Sequence, residues 1–149
     1  MHIQKQDVIK KVAEFVKQKL YSESTGHDWW HCYRVWQLAL KIAKNENADL
    51  FVVQLAALLH DIADWKFNKP EQGLVIAKEL LNQLNVDEQT ISHVCEIIRN
   101  ISFKGAKVKN EISTKEGRIV QDADRLNALG AIGIARCFAT GAKLGRPIY

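Results

Sequence analysis

The sequence has few of the residues that mark secreted, disordered or membrane-spanning chains. Cysteine occurs three times, at Cys32, Cys95 and Cys137, and forms no CxxC pair. This pattern excludes a zinc knuckle and predicts buried thiols in a reducing compartment. Only two prolines and eight glycines occur in 149 residues, of which 47% are hydrophobic, so the composition is globular. The longest apolar run, Leu129–Ala135, is much too short to cross a membrane.

The net charge is small, at +4, but the positive charge is unevenly distributed. No acidic residue follows Asp124, whereas four cations do: Arg125, Arg136, Lys143 and Arg146. Such cations suit a small anionic ligand, but they are too few and too scattered to bind a nucleic-acid polymer. Residues 1–7 lack the apolar core of a signal peptide. We therefore expect a cytoplasmic protein with no membrane partner, either a monomer or a homodimer.

Apolar residues recur with the period of an α-helix along most of the chain, without sustained period-two alternation. This pattern predicts an all-α fold, a single-domain helical bundle over residues 1–149. The helical segments lie near 8–20, 35–42, 52–59, 74–84, 91–101 and 119–126. The third segment is apolar on most sides, so it is predicted to be the central helix.

Cap and turn residues mark the ends of these segments. Asp87 is predicted to cap the fifth helix, and Ser113–Glu116 resembles a capping box that starts the sixth. Gly130 and Gly133 are expected to interrupt or tighten the chain beyond the sixth helix. The residues from 141 to 149 are expected to form a loose tail.

The adjacent pair His60 and Asp61 ends the most apolar run in the chain, Leu55–Leu59. Ionisable side chains are rare in such surroundings unless they are paired or bind a metal ion. An imidazole nitrogen with a carboxylate oxygen is a ligand set for a divalent transition metal. The structural alternative is a histidine on the C-terminal helix dipole beside a solvated aspartate.

His31 and one of two aspartates could complete such a site. His31 falls on the apolar stripe of the second helix, where it is either a ligand or a hydrogen-bonded core histidine. Asp122 and Asp124 interrupt the apolar pattern of the sixth helix and, being two residues apart, face nearly opposite directions. One of them is expected to point inward. The alternative is that both are surface charges that pair with Arg118 or Arg125.

The order His31, His60–Asp61 and Asp124 resembles the HD superfamily of metal-dependent phosphohydrolases, which is named for its His-Asp pair. The resemblance covers about residues 26–129. Leu58–Ile62 is similar to the helix that carries the family's His-Asp pair.

Two further segments carry the resemblance. Ala123–Leu129 is similar to the family's last metal-binding segment, whose aspartate aligns with Asp124 rather than with Asp122. Gly26–Val35 resembles a bacterial subgroup of small stand-alone HD hydrolases that includes nucleoside triphosphate pyrophosphohydrolases.

The resemblance implies one divalent ion bound by His31, His60, Asp61 and Asp124. Members with two metal ions carry extra histidines where this chain has Asn100, so we expect a single ion. Two imidazoles and two carboxylates favour Mn²⁺, Fe²⁺, Co²⁺ or Ni²⁺ over Mg²⁺. An ion held in this way would acidify water and polarise a phosphoryl group.

Asp64 lies three residues after Asp61 on the same helical face. Its carboxylate could position water or carry a proton, and hydrolytic HD proteins have an acidic residue at this spacing. The alternative is an ion pair with Lys66. Asp64 and Asp61 are therefore the predicted catalytic residues. Arginine and lysine side chains suit phosphate groups, and His27 could orient His31. The predicted substrate-binding residues are Arg34, Lys66, Lys104, Arg125, Asp122 and His27.

Together with these residues, the resemblance implies a metal-dependent phosphohydrolase that acts on a nucleotide. The first hypothesis is release of pyrophosphate from a (deoxy)nucleoside triphosphate, because Lys66, Lys104 and Arg125 favour a substrate with more than one phosphate. The alternatives on the same site are a nucleoside monophosphate phosphatase and a phosphodiesterase. A helical module that senses a nucleotide without turnover is a further alternative, against which Asp64 argues.

Overall fold

The computed structural model of the chain describes residues 4–62, 70–101 and 112–148. The described residues form helices without a β-strand, which confirms the predicted all-α fold. The helices are α1 (Lys5–Leu20), α2 (Trp29–Ala43), α3 (Leu50–Leu59), α4 (Pro70–Gln83), α5 (Glu88–Asn100), α6 (Lys115–Asn127) and α7 (Gly130–Lys143). None of the described helices has the length and apolar character needed to cross a membrane.

Helix α3 forms the centre of the bundle, as its sequence predicts. All but two of its ten residues are buried, and it packs against α1, α2, α5 and α6. Helix α2 also packs along α6, and α4 packs on α5. The predicted metal ligands His31, His60, Asp61 and Asp124 lie where the end of α3 meets α2 and α6.

Among the described residues, side-chain caps begin four of the helices. Asp28, Asp49 and Asp87 each accept a backbone N–H from the first turn of α2, α3 and α5, which confirms the cap predicted at Asp87. The cap predicted at Ser113 is wrong by one residue, because the hydroxyl of Thr114 accepts the Gly117 N–H of α6.

Helix α7 was not predicted from the sequence. Only Gly133 among its residues is fully buried, and a Cβ there would lie 2.0 Å from the carbonyl oxygen of Ala128, so close packing requires glycine. Large apolar side chains remain exposed on and beside this helix: Leu126, Leu129, Ile132, Ile134 and Phe138. The predicted tail over 141–149 is helical as far as Lys143.

Two hydrogen bonds join α7 to the segment that precedes α2. The Arg136 Nε donates to the Gly26 carbonyl, and the Thr140 hydroxyl donates to the Thr25 carbonyl over 3.0 Å. Gly26 has a φ of +85°, and a Cβ there would lie 2.5 Å from Arg136 Cγ. Both the backbone conformation and the close approach of Arg136 therefore require glycine at this position.

The three cysteines are free thiols. Cys32 is buried as predicted, Cys95 is half-buried, and Cys137 on α7 is exposed. The prediction of buried thiols is therefore wrong for Cys137, because its position on α7 leaves the side chain exposed to solvent.

Candidate metal centre

His31 enters the site from the first turn of α2. Asp28 caps this helix and accepts the backbone N–H of His31 over 2.8 Å, which fixes the start of the helix and the direction of the side chain. The imidazole is fully buried. Its Nδ1 lies 2.8 Å from the side-chain oxygen of Asn127 on α6, so its Nε2 faces the end of α3.

His60 and Asp61 lie at the C-terminal end of α3. His60 is the C-cap residue with right-handed helical dihedral angles. Its Nδ1 lies 2.8 Å from the carbonyl oxygen of Ala57 one turn earlier. This contact turns the His60 Nε2 toward His31, and the two Nε2 atoms are 3.1 Å apart.

Asp124 reaches the same point from α6. Its Oδ1 lies 3.3 Å from His31 Nε2 and 3.7 Å from His60 Nε2. Asp122, two residues earlier, is exposed to solvent. The packing of α6 on α2 thus places Asp124, and not Asp122, beside the two histidines.

Asp61 approaches the two imidazoles with its Oδ2, which lies 3.1 Å from His31 Nε2 and 3.6 Å from His60 Nε2. This oxygen is buried, and the geometry gives it no hydrogen-bond partner among the described residues. A buried carboxylate oxygen without such a partner is costly unless a positive charge compensates it.

The donor set requires a positive charge at its centre. Both imidazoles face an acceptor at Nδ1, so each neutral ring carries its proton there and presents a lone pair at Nε2. Two imidazole lone pairs and two carboxylate oxygens then converge. Only added protons or a metal ion can hold four such atoms together.

The pKa values of the two histidines and two aspartates reflect the need for a positive charge between them. Burial opposes a positive charge on His60, but the carboxylates of Asp61 and Asp124 outweigh it and raise its pKa to about 9. Burial likewise opposes charge on His31, whose pKa is raised by its contacts with the same carboxylates. Burial disfavours the charged forms of both aspartates, yet the neighbouring imidazoles hold their pKa values well below the usual range.

The spacing of these atoms fits a divalent metal ion. An ion with bonds of about 2.1 Å places ligands at right angles about 3 Å apart. The measured separations from the two Nε2 atoms run from 3.1 to 3.7 Å. Ligand atoms of His31, His60 and Asp124 all lie within 4.8 Å of one another. Asp61 contacts both imidazoles of that group.

His27 lies beside the cluster, in the segment before α2. Its ring is buried and meets the ring of His31 edge to face, with centroids 6.0 Å apart. The hydroxyl of Thr25 donates to Glu23 over 2.8 Å and lies 3.1 Å from His27 Nδ1. Because that hydroxyl proton is committed to Glu23, the Thr25 oxygen accepts from Nδ1, which fixes the tautomer of His27.

The other predicted substrate-binding residues are placed differently. Arg125 is exposed on α6 next to Asp124, and Arg34 is half-buried on α2, one turn after His31. The Arg34 Nε is buried, and no described residue gives it a hydrogen-bond partner. Burial lowers the pKa of Arg34, while Asp28 opposes that shift. The predicted residues Asp64, Lys66 and Lys104 lie outside the described part of the chain.

Asn127 is a site residue that the sequence analysis missed. It is buried and contacts His31 directly. Helical spacing could have identified it, because Asn127 follows Asp124 by three residues and so shares its face of α6.

Comparisons with known proteins show what this chain is similar to. The family model of the HD domain matches residues 29–129. YpgQ of Bacillus subtilis (strain 168) is 40% identical over 144 residues, which cover 94% of this chain and 69% of YpgQ. The fold also resembles the crystal structure of an HD-superfamily hydrolase from Bacillus thuringiensis, with a TM-score of 0.74 and 43% identity over 98% of this chain and 71% of that one.

A crystal structure of Bacillus subtilis YpgQ in complex with ADP is similar as well. Its TM-score is 0.71, with 37% identity over 95% of this chain and 71% of that chain. The present chain therefore spans about seven-tenths of the length of these relatives.

Proposed function

Because the chain belongs to the HD domain family, we propose that it is a metal-dependent phosphohydrolase that releases pyrophosphate from a (deoxy)nucleoside triphosphate. The observation that carries this proposal is the convergence of four lone-pair donors at the junction of α2, α3 and α6. The ADP complex of the relative YpgQ supports a nucleotide as the ligand. Residues 1–149 act as a single HD domain in this proposal.

We assign the metal ion to His31, His60, Asp61 and Asp124. Two imidazoles with two carboxylates suit Mn²⁺, Fe²⁺, Co²⁺ or Ni²⁺ better than Mg²⁺, which prefers oxygen ligands. When bound, the ion would supply Lewis acidity toward water and toward a phosphoryl oxygen. Asp61 and Asp124 remain ionised beside it, since their pKa values are lowered even without a metal.

The charge of this centre explains why further cations are needed. Two carboxylates neutralise the formal charge of a divalent ion, so the filled centre attracts a polyphosphate only weakly. Arg34, Arg125, Lys66 and Lys104 would then supply the positive charge that binds the remaining phosphates. Arg125 is suited to this task because it is exposed immediately beside Asp124.

The two proposed catalytic residues have different roles, with Asp61 as a metal ligand and Asp64 as the group that handles the proton. Asp61 holds its oxygen beside both imidazoles, and Asp64 follows it by three residues in the sequence. In this proposal Asp64 positions the attacking water and accepts its proton. His27 and Asp122 contribute to substrate binding, with His27 held in one tautomer by Thr25.

A nucleotide panel tests the reaction. The purified chain would be supplied with each candidate metal and with nucleoside triphosphates, monophosphates and phosphodiesters, and free phosphate would be measured with and without inorganic pyrophosphatase. We expect phosphate from triphosphates only when the pyrophosphatase is present, and we expect Mn²⁺ to be more effective than Mg²⁺. Phosphate released from monophosphates without pyrophosphatase would instead identify a phosphatase.

A substitution separates turnover from binding. Asp64→Asn should retain the metal ion and lose most of the turnover, because it removes a base and leaves the four ligands. If the wild-type chain binds nucleotide and Mn²⁺ but hydrolyses no member of the panel, it is a sensing module and the proposed reaction is wrong.

A further inference from the structure

The two histidines of the centre are supported in different ways. His60 Nδ1 bonds to a backbone carbonyl of its own helix, whereas His31 Nδ1 bonds to a side chain, Asn127, that is 96 residues distant in the sequence. We propose that Asn127 is a positioning residue, which fixes the tautomer and ring direction of His31 for metal binding. The inference rests on the proposed metal centre and names a residue on which that centre depends.

The tautomer follows from the chemistry of the amide. The side-chain oxygen of Asn127 only accepts hydrogen bonds, so the hydrogen bond at 2.8 Å requires a proton on His31 Nδ1. The lone pair of the neutral ring is then at Nε2, the atom that faces His60, Asp61 and Asp124. The opposite tautomer would put a proton where the ion binds.

Burial makes this hydrogen bond hard to replace. His31 is fully buried and Asn127 is 5% exposed, so bulk water has little access to Nδ1 if the amide is removed. An unpaired buried N–H is costly, and the ring would rotate or shift its proton to relieve it. Either response removes the lone pair from the position that Asp124 and Asp61 define.

The side-chain amide of Asn127 also adds no charge to the centre. Two carboxylates already face the ion, and a third acidic group beside His31 would make the metal-free centre more negative. Asn127 lies one turn after Asp124 on α6. One face of this helix therefore supplies both a proposed ligand, Asp124, and the group that orients His31 on α2. The packing of α6 on α2 therefore sets both positions together.

The affinity for Mn²⁺, measured by calorimetry, tests the role of Asn127. We expect Asn127→Leu to weaken Mn²⁺ binding by about 10- to 100-fold, the usual effect of removing a group that orients a metal-bound histidine. Asn127→Asp keeps an acceptor for Nδ1 and should stay within a few-fold of the wild type. Thr114→Ala is the matched control, because it removes a cap of the same helix and touches none of the ligands.

A second measurement needs no variant. Imidazole ¹⁵N NMR of the wild-type chain with Zn²⁺, a diamagnetic probe, should show His31 bound through Nε2 with a slowly exchanging proton on Nδ1. Binding of Zn²⁺ through Nδ1 would overturn the proposal, as would folded Asn127→Leu protein that binds Mn²⁺ as tightly as the wild type.

The experiments distinguish a failure of the proposed reaction from a failure of the role proposed for Asn127. If the wild-type chain binds Mn²⁺ without hydrolysing nucleotides, the ratio of Mn²⁺ affinities still decides the role of Asn127. If the wild-type chain binds neither Mn²⁺ nor Zn²⁺, the metal centre and the role of Asn127 are both wrong.

Discussion

Asp122 and Asp124 are separated by one residue, and the 3.6-residue period of α6 gives them different surroundings. Asp124 lies beside both imidazoles, while Asp122 is exposed. We expect Asp124→Ala to abolish Mn²⁺ binding, because it removes one of the four proposed ligands. Asp122→Ala should leave the metal content unchanged and act, if at all, on the KM for the nucleotide.

Metal analysis after dialysis, with circular dichroism to establish folding, would check this pair of variants. Loss of metal from folded Asp122→Ala, together with full metal content in Asp124→Ala, would contradict the assignment. In that case the ligand on α6 would be Asp122, and the substrate role given to Arg125 would lose its basis.

Gly26 is required by its backbone conformation and by its neighbour. Its φ is +85°, and an added Cβ would meet Arg136 Cγ at 2.5 Å. We expect Gly26→Ala to lower the free energy of unfolding by about 2 kcal/mol, from the unfavourable φ and the displaced Arg136. Urea unfolding would measure the loss.

Gly141 is the matched control for that substitution. It lies within α7, and an added Cβ there would meet nothing within 4 Å. Gly141→Ala should therefore stabilise the chain by about 0.5–1 kcal/mol, because alanine is the better helix former. Equal effects at the two glycines would contradict the geometry described for Gly26.

The start of α6 offers a test of a helix cap that differs from the one predicted from the sequence. The structure assigns the cap to Thr114, whose hydroxyl accepts the Gly117 N–H over 3.2 Å, and leaves Ser113 exposed. Thr114→Ala should cost about 1 kcal/mol of unfolding free energy, or a decrease in Tm of about 2–4 °C. Ser113→Ala should have almost no effect on Tm. The reverse result would restore the cap predicted at Ser113.

A tertiary contact explains why α6 is capped by Thr114 and not by Ser113. In a capping box Glu116 would bond back to the cap residue of its own helix. Instead its Oε1 accepts the backbone N–H of Asp49 at the start of α3. Helical period alone predicted that α3 is central and that Asp87 caps α5, since both depend on nearby residues. The partner of Glu116 depends on packing between distant segments.

Helix α7 was missed for a related reason. Glycine lowers helix propensity, so Gly130 and Gly133 indicated a break, yet Gly133 allows α7 to approach the carbonyl of Ala128. At the candidate site, too, packing between helices decides what the local sequence leaves open. Spacing placed Asp122 and Asp124 on opposite faces, but only the contact between α2 and α6 determines which face meets His31.

At the scale of the whole molecule, the candidate metal centre joins three helices. His31 comes from α2, His60 and Asp61 from the end of α3, and Asp124 from α6. An ion that binds only the folded state stabilises it by about 2.7 kcal/mol when its free concentration is 100 times its Kd. We expect Mn²⁺ at that concentration to raise the Tm by about 5–10 °C, and a chelator to reverse the shift.

His60→Ala provides the control for this metal effect. It removes one ligand, so Mn²⁺ should leave its Tm unchanged in a thermal scan. An equal rise in Tm for His60→Ala and for the wild-type chain would show that the ion stabilises the protein from another place.

The contacts that hold the site together join distant parts of the chain. His31 pairs with Asn127 over 96 residues, and Thr25 pairs with Thr140 over 115 residues. Translation delivers the N-terminal segments first, so His31, His60 and Asp61 leave the ribosome well before Asp124 and Asn127. The nascent chain consequently carries three of the proposed ligands without the fourth, and without the hydrogen bond between His31 and Asn127. Contacts between distant segments form slowly, so we expect the candidate metal centre to be completed late in folding.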